Sequence, residues 1–423
     1  MGNVCLVSLG CPKNLVDSEN LLKRLADQGI EYVSDPDHAE VLLINTCGFI
    51  EDAKRESIDE ILDLAGRKGQ RKLVVFGCLA KRFGDELRRE IPEIDALYGV
   101  GEEEIIAAFC GSILQPSEAI QVPQLLSETT YAYLKIAEGC DRGCSYCVIP
   151  DIRGGFRSRD PEEILKEAEL LVSSGRRELI LVAQDITSYG RDMRGYTLER
   201  LVRDIASISG YFWIRLLYLF PTSITDELLE TIGREVKVCK YLDIPLQHTE
   251  QKILRLMGRS GNREMFRELI SRIRRAIPEI ALRTTLITGF PQETDEDFDY
   301  MLGFVKEIAF DHLGAFTYSR EEGSAAYALK GQVPKPVRKK RRDTIMKVQA
   351  DISLEKNRKL IGSTFTALVD EADNDVAVGR IYSQAPEIDG VVFIHKPGIQ
   401  KHAFVQIRID TAYDYDLKGS IAE

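Results

Sequence analysis

The 423-residue chain lacks the features that would place it in a membrane or secreted class. No apolar run reaches the roughly eighteen residues needed to span a bilayer, and the opening residues, MGNVCLVSLG, contain no basic leader. Nine cysteines are too few for a disulfide scaffold of this length, and they fit a reducing compartment. We therefore expect a soluble, cytoplasmic protein with no membrane partner.

Acidic residues outnumber basic ones, with 67 Asp and Glu against 56 Lys and Arg. The net charge of −11 argues against broad, sequence-independent attraction to nucleic acid phosphates. The chain contains no low-complexity stretch and no repeat of fixed period. Its length allows about three domains.

Three of the cysteines stand close together in the segment GCDRGCSYCVIP, and we call Cys140, Cys144 and Cys147 the loop triplet. The triplet follows an apolar run at 133–137, so it is expected in a loop just past the end of a strand. Three thiolates can hold three irons of a 4Fe–4S cluster and leave the fourth iron open for chemistry. A zinc knuckle usually needs a fourth Cys or His, and no His lies within thirty residues of the triplet. An iron–sulfur cluster is therefore favoured over zinc or disulfides.

Three further cysteines, Cys11, Cys47 and Cys78, each follow a short apolar run, and we call them the sheet-edge set. Such runs are typical of strands buried on both faces of a parallel sheet. The carboxyl ends of these strands meet at one edge, where open α/β sheets bind ligands. Each Cys alone would more often be a core residue, but together they predict a second three-Cys cluster with an open iron. The remaining cysteines are expected to be core thiols: Cys5, Cys110 and Cys239.

Residues 1–130 are expected to form an amino-terminal parallel α/β sheet domain. Its apolar runs alternate with helical stretches at 17–27, 51–65 and 81–89, and a polar linker is expected at 115–130.

Residues 131–335 are predicted to form an open, partial TIM-type barrel whose chemistry lies at the carboxyl ends of its strands. Helix-start signals separate some of the strands: Asp160 precedes a predicted helix at 161–173, and the Thr294 hydroxyl can cap another. The six strand-like runs lie at 133–137, 179–183, 212–219, 241–246, 281–287 and 313–318.

Residues 336–360 are predicted to be a helical linker, which overlaps the basic run KPVRKKRR at 335–342. A solvated helix face and a contact with RNA are equally good interpretations of that run.

Residues 361–423 contain four short strand-like runs that predict a small antiparallel β-barrel. This tail holds ten acidic residues against five Lys or Arg, whereas a nucleic-acid-binding barrel should present a basic face. The four runs lie at 364–369, 376–381, 390–394 and 403–409.

On these motifs the chain resembles the radical S-adenosylmethionine (SAM) methylthiotransferases. Members join an amino-terminal three-Cys domain, a radical SAM barrel with the CxxxCxxC spacing and a small carboxyl-terminal barrel called TRAM, and the order matches from end to end. The segment SLGCPKNLVDSE at 8–19 resembles the branch that modifies a ribosomal protein. Members that act on tRNA more typically carry Gln-Met-Asn after the first Cys. The segment APEIDG at 385–390 also resembles the ribosomal-protein branch.

The resemblance implies methylthiolation of the β-carbon of an aspartate in the twelfth small-subunit ribosomal protein. It implies two 4Fe–4S clusters and SAM as cofactors. The loop triplet would hold the cluster that cleaves SAM to a 5′-deoxyadenosyl radical, and that radical would take a hydrogen from the aspartate. The sheet-edge set would hold the cluster that carries the sulfur, which a separate SAM would methylate.

The implied partners are the ribosomal protein and an electron donor such as flavodoxin or ferredoxin. Nucleic acid is not expected as the primary substrate. The acidic tail complements the basic charge that ribosomal proteins generally carry.

Several residues at predicted strand ends are candidate contacts of SAM. Gln184 and Asp185 end the second barrel strand, where the wider superfamily often binds the amino end of the cofactor. Thr285, Thr288 and Gly289 end the fifth strand and could approach the adenosine, although Gly289 is equally a simple turn residue.

Other polar residues are expected to have mainly structural roles. Gln247 and His248 end the fourth strand, and a lone His there is more often a hydrogen-bonded structural group. Arg153 and Arg157 could meet carboxylates of substrate or cofactor, but salt bridges within the loop are favoured.

Two other functions remain open. A tRNA adenosine methylthiotransferase would carry identical clusters and add the methylthio group to tRNA. A non-enzymatic electron-transfer or scaffold protein would release no 5′-deoxyadenosine. The CxxxCxxC spacing disfavours that second alternative, because bacterial ferredoxin-type runs use CxxCxxC with a further Cys.

Overall fold

A computed structural model describes residues 2–115, 129–373, 375–396 and 398–422. Three sheets follow one another along the chain: a five-stranded parallel sheet, a six-stranded parallel sheet and a closed five-stranded barrel. The linker expected at 115–130 falls largely outside the described residues. The α/β class and the order of the three parts are confirmed.

The amino-terminal sheet has the strand order β2-β1-β3-β4-β5, and all its pairings are parallel. The central strand β3 is buried along its whole length because helices cover both faces of the sheet. The strands are β1 Asn3–Ser8, β2 Glu31–Tyr32, β3 Val41–Thr46, β4 Lys72–Gly77 and β5 Ala96–Tyr98, and the helices are α1 Pro12–Asp27, α2 Glu51–Arg67, α3 Cys78–Glu90 and α4 Glu103–Ile113.

The second sheet has the order β6-β9-β10-β11-β12-β13, again all parallel, so the six predicted strands are confirmed. Its outermost strands, β6 and β13, do not pair in the described chain, which leaves the barrel open. The paired strands are β6 Tyr131–Lys135, β9 Glu178–Val182, β10 Trp213–Leu216, β11 Val238–Asp243, β12 Ala281–Thr288 and β13 His312–Thr317. A small antiparallel pair, β7 Ala137–Glu138 and β8 Arg157–Ser158, flanks the loop triplet.

Helices cover the outside of the open barrel, and two begin at the predicted caps. The Asp160 carboxylate accepts from the backbone N–H of Glu162, and Thr294 forms a reciprocal capping box with Asp297. These helices are α5 Ile149–Arg153, α6 Pro161–Ser173, α7 Leu198–Ser207, α8 Asp226–Arg234, α9 Gln251–Leu256, α10 Arg263–Ala276 and α11 Asp295–Ile308.

The long helix α12 (Lys335–Lys359) contains the basic run and divides it into two kinds of residue. Arg338 and Arg341 are buried: Arg338 donates to the Tyr318 carbonyl at 2.7 Å, and Arg341 pairs with the Glu293 carboxylate at 2.6 Å. The neighbouring Lys339 and Lys340 are exposed. Arg338 and Arg341 therefore fasten α12 to the barrel, whereas Lys339 and Lys340 face solvent and Arg342 is partly exposed beside Asp343.

The carboxyl-terminal barrel closes in the order β14-β15-β16-β18-β17. The sequence predicted four of its strands and missed the last one. The prediction of an antiparallel barrel holds for four of the pairings, whereas β16 and β18 pair in parallel. The strands are β14 Thr364–Ala372, β15 Val376–Ile381, β16 Val392–His395, β17 Phe404–Ala412 and β18 Leu417–Ile421.

The carboxyl-terminal barrel docks into the interior of the open barrel through buried ion pairs. Glu178, which is fully buried, accepts from Arg215 and from Arg380 of β15, both at 2.5 Å. Asp389 accepts from the Tyr241 hydroxyl at 2.7 Å and lies 3.4 Å from Arg283. The Asp389 side chain of the APEIDG segment is therefore buried and holds the tail in place, while Glu387 and Ile388 of the same segment are exposed.

No helix within the described ranges combines the length and the apolar character that crossing a bilayer requires.

Candidate functional site

The sheet-edge set lies at the carboxyl edge of the amino-terminal sheet. Cys11 caps α1 just after β1, Cys47 directly follows β3, and Cys78 begins α3 directly after β4. Each turn leaves its strand at the same edge because the strands are parallel and adjacent.

Contacts with Asn14 and Gly10 bring these three cysteines together. The Oδ1 atom of Asn14 lies 3.9 Å from the Cys11 sulfur and 3.6 Å from the Cys78 sulfur. Gly10 has φ +94°, and a Cβ there would come within 2.7 Å of the Cys47 Cβ. Asn14 also donates to the carbonyls of Leu9 at 3.0 Å and Thr46 at 3.2 Å, which ties the loops to each other.

The loop triplet is shaped by its own backbone. The N–H of Cys147 donates to the Cys144 carbonyl at 3.0 Å, and the N–H of Cys140 donates to Gly154 at 3.1 Å. Gly139 adopts φ +77°, and a Cβ there would lie 2.2 Å from the Gly155 carbonyl oxygen, so only glycine fits. The triplet thus wraps back on itself between β7 and β8.

Cys47 and Cys78 are buried, whereas Cys11 and the loop triplet are half-buried. Burial raises the pKa of Cys78 and of Cys147 to about 12, and it also raises the pKa of Cys47 and Cys140. In the part of the chain that the structure describes, no three Cys, His, Asp or Glu side chains converge tightly enough to hold a single metal ion. A cubane binds each thiolate at a different iron and so takes more widely spaced sulfurs.

Arg153 connects the two sets. It follows the loop triplet on α5, is 5% exposed and donates to both carboxylate oxygens of Glu138 at 3.0 Å. Its other terminal nitrogen reaches into the amino-terminal domain, 2.6 Å from Asn14 Oδ1, 3.0 Å from Asp17 and 3.7 Å from the Cys78 sulfur. Arg153 therefore forms buried salt bridges, one with Glu138 beside the triplet and one that crosses to Asp17 of the amino-terminal sheet.

Lys135 completes this network by pairing with Asp17 and, at 2.7 Å, with Glu138. Although burial opposes ionisation of Glu138, the positive charges of Lys135 and Arg153 lower its pKa to about 2. Two cations and two carboxylates therefore form a balanced buried cluster directly beside Cys140.

A second arginine, Arg259, contacts a cysteine sulfur of the loop triplet. Arg259 donates to the Cys144 sulfur at 3.7 Å and to the Pro245 carbonyl at 2.8 Å. Arg142, within the triplet segment, bonds Asp185 at 2.6 Å and Ser223 at 2.8 Å and stacks on the Phe220 ring. These contacts hold the triplet against the ends of neighbouring barrel strands.

Gln184, Asp185, Thr288 and Gly289 lie at or just past strand ends, as expected, whereas Thr285 lies within β12 because that strand continues to Thr288. Gln184 donates to Glu138 at 2.9 Å, and its Oε1 atom is buried with no hydrogen-bond partner among the described residues. The Asp185 carboxylate accepts hydrogen bonds from Arg142, Thr187 and Ser188.

The residues at the end of β12 are largely engaged by other groups. Thr285 is partly buried and accepts from Arg283 at 3.3 Å. Thr288 donates to the Arg338 carbonyl at 3.1 Å, and a Cβ at Gly289 (φ +71°) would meet the Arg338 side chain at 2.2 Å.

The polar residues after β11 also have structural partners. His248 is fully buried, accepts from the backbone N–H of Glu250 at 2.9 Å and lies 3.4 Å from Glu293. Gln247 has φ +71°, and its Oε1 atom is buried without a partner in the described chain. Arg157 is exposed.

Sequence reasoning missed several residues that organise the site. Asn14, Asp17, Lys135, Glu138 and Arg259 connect the cysteines, and most of these contacts join residues far apart in the chain. One local signal was present, because Asn14 and Asp17 lie in the first turns after Cys11 and face the same side of α1 as the cluster edge.

The open parallel barrel with its loop triplet, joined to a cysteine-bearing sheet and a small closed barrel, defines a radical SAM enzyme of the methylthiotransferase type. Three family models match the chain: "Uncharacterized protein family UPF0004" at residues 3–99, "Radical SAM superfamily" at 134–305 and "TRAM domain" at 361–422.

Relatives then place the chain in one family. It is 53% identical to ribosomal protein uS12 methylthiotransferase RimO of Thermodesulfovibrio yellowstonii, with all of both chains aligned. It is 48% identical to the RimO of Geobacter sulfurreducens over 99% of this chain and 98% of that one. The chain therefore belongs to the RimO family of ribosomal protein uS12 methylthiotransferases.

Solved structures support the fold alone. The radical SAM methyltransferase TsrM from Kitasatospora setae superposes with a TM-score of 0.56 at 13% identity, covering 86% of this chain and 77% of that one. The cobalamin-dependent radical SAM enzyme OxsB has a TM-score of 0.53 at 12% identity and covers 84% of this chain and 56% of that one.

Proposed function

We propose that this protein methylthiolates the β-carbon of an aspartate in ribosomal protein uS12, using two 4Fe–4S clusters and SAM. The observation that carries the proposal is the junction at Arg153, which touches Cys78 of the sheet-edge set and Glu138 beside the loop triplet. Two three-thiol sets at adjoining strand edges suit a reaction in which one site makes a radical and the other delivers sulfur.

Both sets fit the clusters through the chemistry of their donors. Each offers three buried or half-buried thiols, so each would leave one iron without a protein ligand. When bound, the clusters and SAM supply the radical chemistry that exchanges a C–H bond for a C–S bond at an unactivated carbon. Cys140, Cys144 and Cys147 would hold the reducing cluster, and the sheet-edge set would hold the sulfur-carrying one.

Side chains at the barrel edge would orient the cofactor. The unpartnered Oε1 atoms of Gln184 and Gln247 can accept hydrogen bonds from the amino group of SAM. Asp185 and Thr285 are proposed to approach the cofactor from the same edge. Thr288 and Gly289 are proposed to do so through backbone atoms, because Arg338 covers their side-chain positions.

The partners follow from charge and from the reaction. The acidic carboxyl-terminal barrel complements a basic ribosomal protein. An electron donor such as flavodoxin or ferredoxin is proposed to reduce the loop-triplet cluster. A ribosomal substrate would place the reaction in the cytoplasm. The exposed lysines of α12 are the observation that favours an RNA acceptor instead.

The test is an anaerobic assay of the cluster-loaded protein with SAM, a reductant and one of three acceptors: uS12, assembled small subunits or tRNA. Mass spectrometry should find a methylthio group in place of a hydrogen on a uS12 aspartate, together with 5′-deoxyadenosine. A methylthio group found only on tRNA would establish the alternative acceptor. Absence of 5′-deoxyadenosine would indicate an electron-transfer or scaffold protein.

A further inference from the structure

Lys13 is a buried cation close to the sheet-edge set, and among the residues that the structure describes it has no carboxylate partner. It lies in the first turn of α1, two residues after Cys11, and is 8% exposed. Its nitrogen lies 3.7 Å from the centroid of the Tyr218 ring. The ionisable groups that act on it most strongly are Tyr218, Cys11 and Arg153, and none of them is a carboxylate.

Other buried cations of the described chain have an anionic or carbonyl partner. Lys135, Arg153, Arg215, Arg341 and Arg380 each form an ion pair with an Asp or Glu. Arg259 and Arg338 instead donate to the backbone carbonyls of Pro245 and Tyr318. Burying an ammonium group without an anion is costly, and an aromatic face offsets only part of that cost. An anion supplied from outside the chain would complete the pairing.

The position of Lys13 suits a substrate rather than a structural ion pair. Its partner Tyr218 follows β10, adopts φ +64° and donates its backbone N–H to Asp243 at the end of β11. The Tyr218 carbonyl accepts from Ile186 after β9, so the ring sits at the carboxyl edge of the barrel. Lys13 therefore extends from the sulfur-carrying side of the site to the edge where the radical would form.

We propose that the Lys13 ammonium binds the side-chain carboxylate of the substrate aspartate and so selects an acidic acceptor. This inference rests on the proposed function. The carboxylate carbon is bonded directly to the β-carbon that loses its hydrogen, so holding the carboxylate positions the reacting carbon between the two three-Cys sets. A charge-assisted hydrogen bond in a sheltered site supplies both affinity and discrimination against the uncharged amide.

The experiment compares two peptides that carry the uS12 target sequence, one with its aspartate and one with asparagine in its place. Binding is measured by fluorescence anisotropy, and methylthiolation and 5′-deoxyadenosine release are measured in the same preparations. Wild-type protein should bind the Asp peptide about 10- to 100-fold more tightly than the Asn peptide. Lys13→Met, which fills similar space without charge, should bring both affinities to the level of the Asn peptide and lower kcat/KM for Asp by a similar factor.

Two control variants make the result interpretable. Lys23→Met, on the exposed side of the same helix, should keep the full preference for Asp. Lys13→Arg keeps the charge and should retain most of the preference even if Lys13→Met loses iron.

Different outcomes would separate the failure of this inference from that of the function. If wild-type protein methylthiolates the Asp peptide while Lys13→Met keeps the same Asp-over-Asn binding ratio, Lys13 does not bind the carboxylate. An equal loss of affinity for both peptides in Lys13→Met would also overturn the inference, since it would show that Lys13 merely balances cluster charge. Wild-type protein that neither binds nor modifies the Asp peptide would overturn the proposed function and this inference with it.

Discussion

The two sets of three cysteines are built in opposite ways. The loop triplet lies within one short segment whose own backbone hydrogen bonds shape it. The sheet-edge set draws one Cys from each of three turns, and its geometry exists only when β1, β3 and β4 are paired. The comparison teaches that one site depends on a local conformation, whereas the other depends on the folding of a whole domain.

The largest effect is expected when the three cysteines of one set are replaced by alanine while the other set is kept. Changing Cys140, Cys144 and Cys147 to Ala should abolish 5′-deoxyadenosine release, because the iron proposed to bind SAM would have no ligands. Changing Cys11, Cys47 and Cys78 to Ala should leave SAM cleavage intact and stop methylthiolation. Iron analysis should find that roughly half the metal remains in each variant. SAM cleavage that survives the first replacement would contradict the assignment of roles.

A smaller effect is expected when alanine replaces the glycines that allow close packing beside each set of cysteines. Gly10→Ala places a Cβ 2.7 Å from the Cys47 Cβ, and Gly139→Ala places one 2.2 Å from the Gly155 carbonyl oxygen. Both residues have positive φ, so each substitution should cost about 1–3 kcal/mol of unfolding free energy and lower the iron content of its own site.

Gly143→Ala is the matched control for these glycines, because it has φ +64° but no atom within 4 Å of the added Cβ. It should show only the smaller cost of backbone strain. Equal losses in all three variants, measured by chemical denaturation and iron content, would argue against specific close packing at Gly10 and Gly139.

A subtler difference concerns the arginines that donate to the cysteine sulfurs. Arg153 lies 3.7 Å from Cys78, and Arg259 lies the same distance from Cys144. Because N–H···S bonds stabilise the reduced cluster, Arg153→Lys should lower the potential of the sheet-edge cluster by roughly 40 mV. Arg259→Lys should do the same to the loop-triplet cluster. Potentiometric titration followed by electron paramagnetic resonance would test both, and a shift in the other cluster would contradict the pairing.

The smallest expected effect is a pH dependence of stability that is confined to the amino-terminal sheet. Although burial opposes it, hydrogen bonds from Lys68, Lys72 and the Leu73 backbone lower the pKa of Asp95 to about 2. A lowered pKa stabilises the fold above the usual value of 3.8, and that stabilisation is lost as the pH falls towards 2. Asp95→Asn should remove this dependence, as measured by hydrogen-exchange protection of the Cys47 backbone amide, which donates to Ser57, in the metal-free protein at graded pH.

Glu307→Gln is the control for that measurement. Hydrogen bonds from Arg267 and Arg263 lower the pKa of Glu307 to about 2, but it joins helices outside the barrel. Its substitution should leave Cys47 protection unchanged. A matching loss of protection would show that acid acts on the whole molecule.

The contrast between the two sets also explains what the sequence could predict. The loop triplet is visible in its spacing, because its geometry depends on neighbouring residues. The sheet-edge set was predicted less directly, from three apolar runs that each end at a Cys, and that prediction rested on the parallel sheet. The six barrel strands and the helix caps at Asp160 and Thr294 followed from periodicity and capping chemistry.

The contacts that hold the site together could not be predicted from the sequence, because they join segments that lie far apart in the chain. No local pattern relates Arg153 to Asn14, or Lys135 to Asp17. The strand β18 was missed because Leu417–Ile421 is short and its sequence, LKGSI, contains a glycine. Its parallel pairing with β16 depends on barrel closure, which no short-range signal encodes.

The seating of Asp389 against Tyr241, Arg283 and His312 has a consequence for exchanging parts between relatives. A tail grafted from a homologue with another substrate would bring its own residue to that buried pocket while the recipient strands stayed the same. A mismatched graft would leave buried charges without their partners. Each such unpaired charge would lower the stability of the fold by several kcal/mol. Chimeras intended to redirect specificity should therefore transplant the tail together with the three strand residues that receive it.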